Sequence, residues 1–510
     1  VKSSSLSVLL GLGLLALACE KSTTVTPEPQ PLVDTTPVAA TPAPVVWPDE
    51  PFRAERPQPG PAKPLELPSV SLMTLSNGLE VHFVEQTNIP TLTMFVEWDV
   101  GDANDPRNKA GMNALCTNLL DESTASLDHA AFMAKQADHA VSISASGDPD
   151  MTMVEVRTLA RELGPALDLF AEVITAPGLR EDDFERLAKH AKSRIEGTRS
   201  TPTAIANRVW GSAAWGGDHP YGRISTAKSI DAIKLDDCKA WAAKLRPEGA
   251  RMWVVGKIAP EELRKQLEAR LSSWTGKAPK RLKLPKPKPA KGTIFFVDVA
   301  GAAQSMILVG HPGPSRDAPD FEATQMMAAI FGGSFSGRLN MNLREDKGWA
   351  YGARGSYYYT RGGSMLMMSS SVRTDATAGA LREIAKELER MRSSDPTSEE
   401  LSREREGAQR ALPATFATAS RTLFAYRDLE YHGLPVDWHA GYAERLAKLD
   451  VAAITKAAVD HLPKTGYVIV VVGDAKVVLP ELEKVADEHV FGKGGLLFLD
   501  ADGEPVEPPR

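Results

Sequence analysis

Arg344 and Tyr351 stand 351 − 344 = 7 residues apart in Leu343-Arg-Glu-Asp-Lys-Gly-Trp-Ala-Tyr351, and their types suit acyl chemistry. A guanidinium and a phenol are both donors, able to hold a peptide carbonyl and to stabilise the oxyanion that forms when water attacks it. Residue types alone leave a plainer alternative open, in which Arg344 pairs with Glu345 or a neighbour and Tyr351 simply packs. Metal ligands are harder to find. Neither His-x-x-Glu-His nor His-Glu-x-x-His occurs in the chain, although such spacing is what places two imidazoles one turn apart with a general base beside them. His219 is followed by Pro220 and lacks a ligand-spaced partner, so it reads as a turn histidine. His432 and His439 flank Pro435 without helical i, i+4 spacing and read as surface or packing residues.

The elements that must position these residues follow from hydrophobic period. Met112, Leu115, Leu119 and Leu120 lie near one another at 3.6 residues per turn, which predicts a helix. Residues 154–159, 166–173 and 181–187 read as strand, helix and, after a Pro-containing loop, helix. Residues 365–372, 380–388 and 398–403 repeat that order. The offset from Ala166 to Ala380 is 380 − 166 = 214 residues, the size of a domain rather than of a solenoid repeat. Between the halves, Lys280-Arg-Leu-Lys-Leu-Pro-Lys-Pro-Lys-Pro-Ala-Lys-Gly292 reads as a solvated linker in preference to a patch for an anionic surface, because proline excludes regular structure and lysine keeps it solvated. Strands at 292–298 and 305–310 open the second half.

Several motifs occur in a fixed order: Leu75-Ser-Asn-Gly-Leu-Glu-Val81, Pro90, an apolar strand through Val96, Gly101-Asp-Ala-Asn-Asp-Pro106 leading to Gly111, and His219-Pro-Tyr-Gly222. They are followed by Gly332-Gly-Ser-Phe-Ser-Gly-Arg-Leu339 and the Leu343–Tyr351 block. From about residue 66 to 500 this order resembles the pitrilysin/insulinase family, which includes the mitochondrial processing peptidases. The resemblance implies an α+β fold of two duplicated sandwich domains, at 66–279 and 292–505 about a 280–291 linker, each a largely antiparallel sheet with helices on one face. It also implies that Ala114, Thr117 and Asn118 occupy the positions of the family's His-x-x-Glu-His. Aligned through Ile195 and Pro202, Arg194 then occupies the position of a third ligand, a Glu. Alanine has no donor, Thr and Asn are neutral oxygen donors that hold zinc poorly, and a guanidinium repels a cation. Asp121 and Glu122, at the end of the same helix, fall outside the turn a general base needs.

In two-chain bacterial relatives one subunit carries the zinc motif and the other the Arg/Tyr pair. The resemblance therefore implies a non-catalytic subunit with no cofactor of its own, paired with a homologous subunit that bears HxxEH and zinc. Arg344 and Tyr351 would contact an extended peptide substrate in trans. A structural or peptide-binding protein on the same fold is the alternative, and a peptidase with a relocated metal site lacks the ligand cluster it needs.

Lys2 and the apolar run from Leu6 to Ala18, ending in Ala16-Leu-Ala-Cys19, resemble a bacterial lipoprotein signal over residues 1–18 with Cys19 as the lipidated residue. Glu20 after it points to the outer membrane under enterobacterial sorting, and the expected place is the periplasm-facing envelope. Residues 19–65, rich in Pro, Thr, Ala and Val, read as an extended tether reaching on the order of 100 Å. The net charge of −7 over 510 residues offers no basic field for nucleic acid. Of the three cysteines, Cys116 and Cys238 could pair in an oxidising compartment. The simpler expectation for Cys116 is a buried free thiol.

Overall fold

The computed structural model describes residues 66–86 and 89–509, together with Pro51 and Ala54. The expected signal, the lipidated Cys19 and the tether lie outside the described residues, apart from Pro51 and Ala54. Among the described residues, strands form two six-stranded sheets. The first holds β1 (Ser71–Thr74), β2 (Glu80–Glu85), β3 (Thr91–Trp98), β4 (Ser142–Gly147), β5 (Thr152–Leu159) and β6 (Arg251–Gly256), in the order β1-β2-β6-β3-β5-β4. The second holds β7 (Ile294–Asp298), β8 (Gln304–Gly313), β9 (Ala350–Thr360), β10 (Gly363–Arg373), β11 (Val468–Gly473) and β12 (Leu496–Leu499), in the order β12-β7-β11-β8-β10-β9. β2 and β6 are parallel, as are β7 and β11, and the pairs that follow them outward are antiparallel in both sheets. Leaving aside the outermost β1 and β12, the two sheets have one order and one polarity. The helices repeat too: Leu163–Thr175 and Thr377–Ser393 begin 377 − 163 = 214 residues apart. The fold is the expected α+β sandwich.

Side-chain alternation decides which face meets which layer. In β3, Met94 and Val96 enter the core beneath the helices Met112–Leu120 and Leu163–Thr175, while Phe95 between them points the other way. In β6, Met252 and Val254 face that same core and Trp253 and Val255 face away. The second face is also covered: Leu423, Tyr426 and Leu429 of the helix Ala419–Tyr431 pack on Phe95, Trp253 and Val255. Reciprocally, Ile205, Ala206 and Val209 of the helix Pro202–Trp215 pack on Met306, Leu308, Val470 and Val472 of the second sheet. Each half thus lends one helix to the back of the other half's sheet, which corrects the expectation of helices on one face alone. A strand such as β11, Val-Ile-Val-Val-Val-Gly, is apolar on both faces and must be buried on both.

Buried charge crosses the same junction. Tyr221 and Tyr431 donate to opposite carboxylate oxygens of Asp150, and Arg361 donates to Asp99, which also takes a 2.7 Å bond from Arg251. Arg251 and Arg427 both donate to Glu97, whose side chain is wholly buried. Burial alone would raise Asp99, but the Arg251 hydrogen bond and the charges of Arg251, Arg361 and Arg281 hold its pKa down to about 2. The turn at His219–Gly222 presents Tyr221: His219 Nδ1 accepts from the Tyr221 N–H at 3.0 Å, which leaves Nε2, 3.0 Å from the Pro285 carbonyl, as the donor. His219 is a turn histidine.

Cys116 and Cys238 form a disulfide, with Cα atoms 5.0 Å apart and both residues wholly buried, so the expected free thiol is corrected. The two cysteines are 122 residues apart in sequence but sit on helices, Met112–Leu120 and Leu235–Ala242, that pack side by side. Proximity of this kind is set by tertiary packing and has no local sequence signal.

Candidate functional site

The helix Met112–Leu120 is anchored at every level. Gly111 starts it at φ 93°, where a Cβ would press 3.0 Å from Ile230 Cδ1, so glycine admits both the turn and the close approach. Asp105 accepts from the backbone N–H groups of Gly111 and Asn113 at 2.8 and 2.9 Å, taking up orphan donors of the first turn. Burial still lifts Asp105 to about 7, against those donors. The Asn113 amide donates to Asp102 and its carbonyl accepts from Trp241. At the far end Asp121, pushed by burial to about 6, accepts from Ala145 on β4. Asp121 therefore ties the helix to the edge strand.

Ala114, Asn118 and Arg194 line one pocket of about 290 Å³ between this helix and the helix Glu181–Gly197, with His190 and Ser225 also on its wall. Thr117 does not line it. Thr117 is buried, with Oγ1 3.5 Å from Thr152 Oγ1. The structure thus brings three of the four positions aligned to a zinc site into one cavity, and the residues there do not fit zinc: no carboxylate lines it, His190 alone cannot supply the three or four protein ligands such a site needs, and Arg194 adds a positive charge to the wall. No step is assigned to a metal in this chain.

Arg344 lies in a wide helical turn, Met341–Asp346, closed by a bond from Lys347 N to Asn342 O. Wide turns of this kind frequently occur at functional sites. The Arg344 guanidinium stands 5.2 Å from the centroid of the Tyr351 ring and 4.7 Å from that of Phe335. Its Nε also meets Glu345 at 3.1 Å, so one half of the plainer alternative is present. The other half is not: Tyr351 is 88% exposed and Phe335 67% exposed, and neither packs into the core. Arg344 and Tyr351 do not line the pocket at Ala114 and Asn118. Phe335, inside the Gly332–Leu339 block, went unremarked in the sequence; its only signal was its place between glycines in a motif-rich stretch.

Among the described residues Glu122, His129 and Asp183 also converge closely enough to hold an ion. Arg186 donates to both carboxylates and Ser123 to Asp183, so the charge of this group is already met by the protein. His432 and His439 lie among aromatic rings, as the sequence expects of packing residues; burial lowers both, His432 to about 4.

Residues 81–224 match the family model described as Insulinase (Peptidase family M16), and residues 232–408 match the one described as Peptidase M16 inactive domain. The Zinc protease PqqE of Helicobacter pylori is 24% identical over 343 residues, covering 66% of this chain and 77% of that protein. The Non-peptidase homolog YmxG of the same species is 20% identical over 383 residues, covering 74% and 87%. Among solved structures, a peptidase M16 inactive domain from Pseudomonas fluorescens superposes with a TM-score of 0.73 at 24% identity, covering 80% of this chain and 98% of that one.

Proposed function

Because the chain belongs to the insulinase family, peptidase M16, we propose that it is the non-catalytic, Arg/Tyr-bearing subunit of a two-chain zinc peptidase that cleaves unfolded peptides in the bacterial envelope. One observation carries this reading. Three of the four positions of the metal site converge on a pocket lined by no carboxylate and a single imidazole, while Arg344 and the exposed Tyr351 are held together away from that pocket. A donor pair with no site of its own suits a site completed on another chain. There the guanidinium and phenol would hold the carbonyl of an extended peptide and stabilise the developing oxyanion, while the homologous HxxEH-bearing subunit supplies zinc, water and base. The exposed rings of Phe335 and Tyr351 beside an arginine also suit contact with a partner.

Two features support the envelope. The Cys116–Cys238 disulfide suits an oxidising compartment. The lipoprotein-like 1–18 segment with Cys19 would anchor the chain, facing the periplasm from the outer membrane, and no described helix is long and apolar enough to cross a bilayer. The experiment is to purify the chain with and without its HxxEH-bearing homologue and to measure zinc content and cleavage of a quenched peptide library. Zinc and cleavage in the mixture alone support the reading. Stoichiometric zinc in this chain alone contradicts it, and inactivity in every combination leaves a structural or peptide-binding role.

A further inference from the structure

The basic segment at 280–291, which composition marks as a solvated linker, forms one wall of a cleft of about 720 Å³. Its charged lining is Arg281, Lys283, Lys286, Arg316 and Arg361 against the single carboxylate Asp317. The opposite wall comes from the ends of β8 and β10 and the loop after the helix Ala419–Tyr431. The linker can lie this close because Gly363 has no side chain: at φ 141° it sits where a Cβ would meet Pro287 Cδ at 2.9 Å. Proline holds the wall in place, so the lysines on it are presented by a backbone with little freedom to lose.

Two of these cations are incompletely paired. The Arg361 side chain is only 7% exposed; Nη1 reaches Asp99, while Nε and Nη2 are buried with no acceptor among the described residues. The guanidinium of Arg316 is held 3.7 Å over the Phe321 ring and 4.4 Å from the Trp438 ring, and its Nη1 is likewise buried without an acceptor. Stacking fixes its plane. Arg281 is drawn toward Asp99 and Glu430, so Lys283, Lys286, Arg316 and Arg361 are the cations left to face the cleft.

We propose that this cleft binds a small oxyanion of two or more negative charges, its phosphate or carboxylate oxygens met by Lys283 and Lys286 from the linker wall and its remaining charge balanced by the guanidinium groups of Arg316 and Arg361 in the opposite wall. Planar forks recognise both kinds of oxyanion, and ammonium groups add charge without geometric demand. The site is separate from the Arg344 and Tyr351 pair and from the pocket at Ala114, and the inference does not depend on peptidase activity.

The test is calorimetric titration of the full chain with inorganic phosphate and, separately, with citrate, each at an ionic strength held constant with sodium chloride. Saturable binding of at least one anion at one site per chain is expected. The Lys283→Gln/Lys286→Gln variant, altered only at exposed linker positions, should bind at least tenfold more weakly while melting as the parent does. Comparing the two anions identifies phosphate or carboxylate as the preferred group. Heat no greater than that of matched chloride for both anions, or an affinity unchanged in the double variant, overturns the assignment.

Discussion

The Arg344 guanidinium stands 5.2 Å from the ring centroid of Tyr351, and that ring is 88% exposed. Two donors that sequence spaces seven residues apart are thus neighbours at the surface. The Phe335 ring also lies close, its centroid 4.7 Å from the guanidinium carbon of Arg344, within cation–π reach. Glu345 restrains its Nε, leaving the terminal nitrogens for a ligand.

Under the proposed function, Arg344→Ala and Tyr351→Phe should each lower peptide cleavage by the two-chain enzyme about 10²–10³-fold, the usual cost of one oxyanion donor. Assembly, read by size-exclusion chromatography, should be unchanged. Turnover equal to the parent's in both variants would remove the pair from the site.

The convergence of Ala114, Asn118 and Arg194 on one pocket predicts how a metal site could be rebuilt. Ala114→His/Thr117→Glu/Asn118→His should take up little zinc while Arg194 remains, because its charge opposes the ion. Adding Arg194→Glu should give close to one zinc per chain, measured by atomic absorption after dialysis. Equal zinc in the triple and quadruple variants would show that Arg194 does not reach the rebuilt site.

Reducing the Cys116–Cys238 bond, or replacing both residues by Ala, should lower unfolding free energy by roughly 2–5 kcal/mol, since it closes a long loop. Urea titrations with and without reductant measure this. A midpoint unmoved by reductant would mean that the bond is absent in solution.

Tyr221→Phe removes one of the two phenol donors on Asp150 and leaves a buried carboxylate oxygen short of a partner. A loss on the order of 1–3 kcal/mol is expected, larger than for Tyr358→Phe on an exposed ring. Denaturant midpoints of the two variants compare them directly.

Acid should weaken the junction between the two sheets. The carboxyl of Asp99 is held down to about 2, below its unfolded value, so the stability it contributes is complete above about pH 4 and is lost as pH falls toward about 2. Tryptophan fluorescence followed from pH 5 to 2 should report this loss, since Trp253 lies at the junction, and Asp99→Asn should start low and flatten the profile. A variant with the parent's full acid dependence would place the titration elsewhere.

Much of the architecture is written in local pattern. The period of Met112, Leu115 and Leu119 marks the helix Met112–Leu120, and the strand, helix, loop, helix order recurs at the same 214-residue offset that separates Leu163 from Thr377. Period and turn chemistry act over a few residues, so they survive in a single sequence. The backs of the sheets were less legible. Continuous apolar runs such as β11 announce burial on two faces but do not name what covers them, and the covering helix here comes from the other half.

By itself the sequence determined that neither His-x-x-Glu-His nor His-Glu-x-x-His is present, that a strand, helix, loop, helix order repeats, and that Arg344 and Tyr351 stand seven residues apart. These are matters of residue type and short-range period. Only the tertiary structure decided that Ala114, Asn118 and Arg194 share a cavity, that Cys116 meets Cys238, that Phe335 lies beside Arg344, and that Asp150 receives tyrosines from both halves. Each of these depends on how elements far apart in the chain are packed, and burial of apolar faces, which drives that packing, is non-directional and names no partner until the whole fold has closed.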